Sequence, residues 1–184
     1  SLDEAPKDFS YRYLLKNEVG QTLNEDWGAL RTVTLPQSAR VTLKDTWRTK
    51  EHIDNTFYTS AFTEVIFKPT AFRKKSIRNF AKAAVLRFQR AAPRVKSGQQ
   101  LCVCGNIPEL WQWDLQQPLL LGNADFPHWS GDLSLKSIGI VEYKYGIYDP
   151  EEKRVMRLEA GSNRRLNPYR LPSAGECLVV SDEY

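Results

Sequence analysis

Leu101-Cys102-Val103-Cys104-Gly105-Asn106-Ile107-Pro108-Glu109-Leu110-Trp111-Gln112-Trp113-Asp114 holds a strand, the signal that ends it and two closely spaced tryptophans. The alternation in Leu101–Cys104 sends side chains to two faces in turn, as a β-strand requires. Gly105-Asn106 and Pro108 then break it. Trp111 and Trp113 follow at once, which places them at the rim of a sandwich. The competing reading buries both rings in the core, where tryptophan is often found.

Working outward, further candidate strands are 84–92, 99–105, 117–122, 129–137, 140–148, 153–159, 164–171 and 176–182. Pro93, Gly98, Pro127, Gly139, Pro150, Gly161 and Pro172 stand among the breaks between them. Short strands at this spacing, with no convincing long helix, predict an all-β fold, an antiparallel immunoglobulin-like β-sandwich. Upstream, Phe9–Leu15, Ala29–Leu35 and Arg40–Asp45 also read as strands, with a turn at Asn17–Gly20.

The two regions repeat one another. Phe9-Ser10-Tyr11-Arg12-Tyr13 matches Val141-Glu142-Tyr143-Lys144-Tyr145, and Asp26-Trp27-Gly28-Ala29-Leu30-Arg31 parallels Leu158–Arg164. Arg40–Asp45 parallels Glu176–Asp182, while nothing upstream corresponds to 84–140. The expected organisation is therefore the C-terminal half of one module (1–48), a connector with a basic linker (49–83) and one complete module (84–184). Phe57–Phe62 and Val65–Phe67 read as apolar anchors on the connector, and Ile77–Ala83 as a helical turn.

Bulk properties exclude several classes. The 184 residues carry a net charge of only +4, with 41% hydrophobic and 26% charged residues. No apolar run approaches the roughly 18 residues of a membrane span, so no membrane partner is expected. The polar, acidic start Ser1–Asp8 is not a signal peptide, which means little for an excised piece of a longer chain. The basic run from Arg73 to Arg94 reads as a solvated linker, and no nucleic acid partner is expected because no binding motif accompanies it. Cys102, Cys104 and Cys177 form no C-x-x-C pair and read as free core thiols in a reducing, cytoplasmic setting. His52 and His128 have no partners at metal-ligand spacing, so neither metal nor cofactor is expected. Asp114, Asp125, Asp132 and Glu159 read as surface charges, not as a glycosidase pair. On its own this stretch reads as non-catalytic.

The pattern Gly-Asn-x-Pro-Glu-Leu-x-x-Trp-Asp at 105–114, then Trp129, Glu142-Tyr143-Lys144-Tyr145 and Glu159-x-Gly-x-Asn-Arg, resembles the family 20 starch-binding modules over 84–184. Residues 9–48 resemble the back half of another, through Tyr11-Arg12-Tyr13, Trp27, Arg31 and Asp45-Thr46-Trp47. The connector is similar to the join between tandem modules of amylomaltase-like 4-α-glucanotransferases, whose catalytic barrel would follow Tyr184. The resemblance implies an α-glucan or maltooligosaccharide ligand. It also implies Trp113 as the first aromatic wall, with Lys144 and Asn163 as hydrogen-bonding partners. Glu159 stands in the same motif. Leu158 stands where a second aromatic belongs, so Trp111 is the candidate substitute. Ser97 and Phe126 do not restore the family's secondary site, and Trp129 is expected in the core. In the half module, Trp27 stands for the second aromatic and Arg12 for the lysine. A tryptophan joins an apolar face to an N–H donor, which suits a sugar ring.

The rival reading is structural: degenerate sandwich modules that pack on the barrel of the same chain, or pair as a homodimer through the exposed half module.

Overall fold

The N-terminal region forms two short ribbons and one separate strand. The strands are β1 (Asp8–Tyr11), β2 (Leu14–Lys16), β3 (Thr22–Glu25), β4 (Arg31–Thr34) and β5 (Arg40–Asp45). The protein is represented by a computed structural model that describes residues 8–34, 40–45, 47–48, 50–51, 55–56, 59, 61, 71–72, 82–136 and 139–182. The apolar anchors at 57–58, 60 and 62–67, and most of the helical turn expected at 77–83, lie outside the described residues.

One upstream strand was expected over Phe9–Leu15, but it is broken at Arg12-Tyr13. The Tyr13 carbonyl there accepts the Asp26 N–H at 2.9 Å, so β1 pairs with β4 and β2 turns back on β3. Asn17 and Gly20 close that hairpin, with the Asn17 side chain accepting from the Gln21 N–H at 2.8 Å.

The rest of the chain gives β6 (Ala84–Ala91), β7 (Gln100–Gly105), β8 (Leu119–Leu120), β9 (Gly122–Asp125), β10 (His128–Leu135), β11 (Val141–Asp149), β12 (Arg154–Leu158), β13 (Arg164–Leu166) and β14 (Glu176–Asp182). These form the expected sandwich. One sheet runs β5-β14-β6-β10-β9 and the other β12-β11-β7-β8, with β13 also on β11. Leu121 turns the corner: β8 lies in one sheet, β9 in the other, and the fully buried Leu121 side chain sits between them. The strand expected over 164–171 stops at Leu166, because Pro168 lacks an N–H and opens a 3-10 turn capped by Asn167.

Alternation decides the layers. Val141, Tyr143 and Tyr145 face the core with Phe88, Leu101, Val103, Trp129 and Val180, while Glu142 and Lys144 face outward. Trp129 is wholly buried, as expected, and its indole N–H donates to the Ala92 carbonyl at 3.1 Å. Most pairings are antiparallel. The exceptions are on β14, which runs parallel to both β6 and β5. Val41 and Leu43 of β5 thereby pack on the outer Cys177–Val179–Val85 cluster, so the N-terminal region adds a strand to the sheet that holds β6 and β14.

Two charged residues lie elsewhere than the sequence suggests. Arg87, placed in a solvated basic run, is buried, and its guanidinium grips Asp132 at 2.7 and 2.9 Å. Asp132, expected on the surface, is only 3% exposed. The pair sits on matched positions of β6 and β10, where two opposite charges can satisfy each other away from water. The three cysteines are free and buried, and burial raises the Cys177 thiol to about 11.

The sequence repeat is also a repeat of side-chain geometry. In the β6–β14 sandwich, Asp182 accepts hydrogen bonds from Tyr143 (2.6 Å) and Tyr145 (3.2 Å), and Arg164 lies 3.5 Å from it. Upstream, Tyr11 and Tyr13 donate to Asp45, and Arg31 lies 3.7 Å from it. Arg164 also holds Glu159 at 2.9 Å, as Arg31 holds Asp26 at 2.7 Å. The Glu159 N–H donates to the Tyr145 carbonyl, as Asp26 does to Tyr13. The difference is cover. Tyr145 is 2% exposed beneath Phe88 and Arg90 of β6, whereas Tyr13 is 40% exposed.

Candidate functional site

The loop after β7 is held at each motif position. A Cβ on Gly105 would lie 2.5 Å from the Glu142 carbonyl oxygen and from Leu110 Cδ1, so no larger residue fits there. Asn106 accepts from the Glu142 N–H at 2.8 Å and donates to the Ile140 carbonyl at 2.9 Å, which pins the loop to the start of β11. Glu109 accepts the Lys136 N–H, and Leu110 is a fully buried plug.

Beyond the plug, Trp111, Gln112 and Trp113 are all left-handed, with φ of 57°, 48° and 67°. Each such non-glycine residue costs about 1–2 kcal/mol. A run of three is expected only where the surrounding structure holds it. Asp114 ends the run: its N–H returns to the Trp111 carbonyl at 2.9 Å and its side chain accepts the Gln116 N–H.

This conformation lays Trp113, half-buried, on the outer face of the β12-β11-β7-β8 sheet. There it packs with Leu158 on a cluster of Cys102, Cys104 and Val155. Trp111 is 52% exposed and is not among the side chains packed on that cluster. Cys102 and Cys104 lie on one face, as the alternation requires, and their thiols share a hydrogen bond that drives Cys102 up and Cys104 down. Gly146 leaves the space into which Val155 and Leu158 pack: a Cβ there would lie 2.9 Å and 3.0 Å from them.

Lys144 is the cross-strand partner of Cys104 on this face. Its ammonium donates to the carbonyls of Glu159 at 3.1 Å and Gly161 at 2.6 Å. An ammonium has three donors, so one remains for a ligand. Asn163 donates to Glu142 at 3.0 Å, which leaves its amide oxygen as an acceptor. Arg165 holds the same Glu142 carboxylate at 2.7 Å. Glu142 is therefore a positioning residue that the motif reading passed over, although its i, i+2 spacing to Lys144 put both on one face.

Glu159 is different. Both of its carboxylate oxygens are taken, by Arg164, by Arg90 at 2.6 Å and by the Tyr145 N–H at 3.1 Å. Burial opposes ionisation, but the bonds from Arg164 and Arg90 outweigh it and hold Glu159 at about 2. Its backbone carbonyl, not its carboxylate, serves the site, by anchoring Lys144. Trp27 lies apart from the Trp113 face. The shared ion-pair geometry matches Asp26 to Glu159, so Trp27 corresponds to Ala160, two residues beyond Leu158. It lines a separate cavity of about 460 Å³ with Arg12, Asn24 and Lys50.

These carboxylates set an acid limit on stability. Asp26 is likewise at about 2, burial being outweighed by Arg31 and Arg48. Ordinary values are 4.5 for Glu159 and 3.8 for Asp26, so the folded state releases these protons more readily than the unfolded chain. Their stabilisation is complete above those values and is lost as pH falls towards about 2. Urea midpoints should be flat from pH 7 to 5 and fall steeply below pH 4.5. Arg90→Ala should lower the neutral midpoint and flatten that fall.

Aromatic and polar groups held together on an open sheet face make a surface suited to binding. The chain belongs to the starch binding domain family, CBM_20, which matches residues 83–174. It is 27% identical over 185 residues to a rice (Oryza sativa subsp. japonica) 4-alpha-glucanotransferase DPE2, a match covering 94% of this chain and 19% of that protein. A Klebsiella oxytoca cyclomaltodextrin glucanotransferase is 42% identical over 48 residues, 26% of this chain and 7% of that one. Among solved structures, the family 20 module of a maltotetraose-forming amylase from Pseudomonas saccharophila STB07 is similar, with 21% identity and a TM-score of 0.43, covering 53% of this chain and 99% of that module. The chain spans about a fifth of its rice relative.

Proposed function

We propose that this chain is the α-glucan-binding region of a longer 4-α-glucanotransferase, with its working site on the Trp113 face. The family supports α-glucan binding in general, and the similarity to a 4-alpha-glucanotransferase along 94% of the chain supports the parent. The observation that carries the site is the left-handed run that seats Trp113 beside a lysine with one spare donor and an asparagine with a spare acceptor. A sugar presents an apolar C–H face together with vicinal hydroxyls, and this face meets both. Residues 8–48 are the back half of a second such module, a reading supported by the duplicated Tyr–Asp–Arg geometry. The catalytic barrel is carried elsewhere in the parent, and the buried thiols favour the cytoplasm.

A structural role also has support. Leu14, Leu15, Val19 and Leu23 are 48–85% exposed on and around the β2–β3 hairpin, a surface suited to the barrel or to a second copy. Calorimetric titration separates the two readings. Maltoheptaose should bind with a Kd between about 10 µM and 1 mM, and cellohexaose should give no heat. Equal silence from both sugars would leave the structural role.

A further inference from the structure

A groove of about 440 Å³ opens between the two sheets, where the end of β6 and the following loop face β11 and β12. Its size falls within the roughly 300–1,000 Å³ of small-ligand sites. Its floor is apolar: Ala91, Val95 and Leu101 are each 6% exposed or less, and the last two belong to the main core. The groove therefore lies on the inner side of the β12-β11-β7-β8 sheet, whereas Trp113 packs on the outer side. Its rim is cationic. Arg90 from β6, Arg94 from the loop and Arg157 from β12 line it, against one carboxylate, that of Glu159.

That carboxylate does not cancel the rim, because both its oxygens are already taken by Arg164, Arg90 and the Tyr145 N–H. Arg157 is exposed and makes no hydrogen bond or ion pair among the described residues. Arg90 spends one N–H on Glu159 and keeps others. A guanidinium fork matches the oxygens of a phosphate, and an uncharged sugar would leave that match unused. Tyr145 is the one aromatic ring among the described lining residues. It is 2% exposed with Arg90 lying 4.6 Å over it, so no ring is open for a nucleobase to stack on. We infer that the groove is a second ligand site, which takes a small sugar phosphate: the phosphate meets the arginine rim, Arg157 foremost, and the sugar lays its C–H face on the apolar floor. The charge of this ligand sets it apart from the neutral glucan assigned to the Trp113 face. Because the two sites lie on opposite sides of one sheet, both ligands are accommodated at once.

The test is amide shift titration of the intact chain with glucose 6-phosphate, glucose, inorganic phosphate and AMP, repeated on Arg157→Gln and Trp113→Ala. Arg157→Gln changes an exposed position of β12 and leaves the core untouched, which an unchanged urea midpoint verifies. Glucose 6-phosphate should shift the amides of Ala91, Val95 and Leu101, and should bind about tenfold or more tightly than glucose or inorganic phosphate. Its affinity should fall as salt is raised. Arg157→Gln should weaken it by about tenfold, and Trp113→Ala should leave it unchanged. Maltoheptaose at saturation should not displace it. Absence of shifts along the groove, equal binding of inorganic phosphate alone, AMP binding as tightly as the sugar phosphate, or full affinity in Arg157→Gln would each overturn the site. None of these outcomes touches the α-glucan reading, which fails separately if maltoheptaose leaves the amides of Trp113, Lys144 and Asn163 unmoved.

Discussion

Asp182→Ala is expected to lower the unfolding free energy by about 3–5 kcal/mol, the cost of stripping one partner from a buried charged network. Asp182 is 1% exposed and accepts from two tyrosine hydroxyls, with Lys44 at 3.2 Å and Arg164 at 3.5 Å. Removing it strands two buried phenols and one face of a guanidinium with no water to replace the carboxylate. Burial, the largest cause of the raised ionisation of both phenols, remains in the variant, so they cannot answer by ionising. The internal control is Asp45→Ala. It removes the matching carboxylate upstream, where Tyr13 is 40% exposed and its hydroxyl can turn to water. That loss should be smaller, about 2–3 kcal/mol, because Asp45 is itself only 4% exposed and also serves Tyr11 and Arg31, and only the Tyr13 end of the network is open to water. Urea unfolding of the two variants, with unchanged slopes, measures the difference. Equal losses would mean that the upstream copy is as well covered as the downstream one.

Much of this network was legible because it obeys alternation. Tyr143 and Tyr145 lie two residues apart on one strand, so both must face the same layer, and the repeat carried the pattern to Tyr11 and Tyr13. Gly105-Asn106 and Pro108 marked the end of β7 through turn chemistry alone. Features that depend on distant partners were hidden. Nothing local distinguishes Arg87 from a solvated linker arginine until β10 brings Asp132 beside it. Glu159 sits in a binding motif, yet Arg90, nearly seventy positions earlier, turns its carboxylate inward. The parallel seam between β5 and β14 joins elements 138 residues apart at Lys44–Asp182, beyond the reach of any strand-by-strand reading. The left-handed run at 111–113 contains no glycine to announce it. It is imposed by the anchored loop before it and the Asp114 turn after it.

Trp113→Ala is expected to weaken maltoheptaose binding by roughly 30–100-fold. A ring face of about 100 Å² at about 25 cal/mol/Å² is worth a little over 2 kcal/mol, and each 1.4 kcal/mol is tenfold in affinity. Because Trp113 also packs on Cys102, Cys104 and Val155, the comparison requires Trp113→Phe, which keeps a flat ring on the same cluster. Phenylalanine should retain most of the binding, with a melting temperature close to that of the parent protein. Lys144→Met is the polar counterpart. It preserves the apolar stem but removes the donor and both bonds to the 159–161 segment, and should cost about 3–10-fold, one hydrogen bond's worth. Trp111→Ala offers the opposite contrast. Its ring is 52% exposed and outside the Trp113–Leu158 cluster, so a small effect would fix the stacking on Trp113. A loss as large as that of Trp113→Ala would instead make the two rings a single platform, with Trp111 supplying the wall that Leu158 cannot.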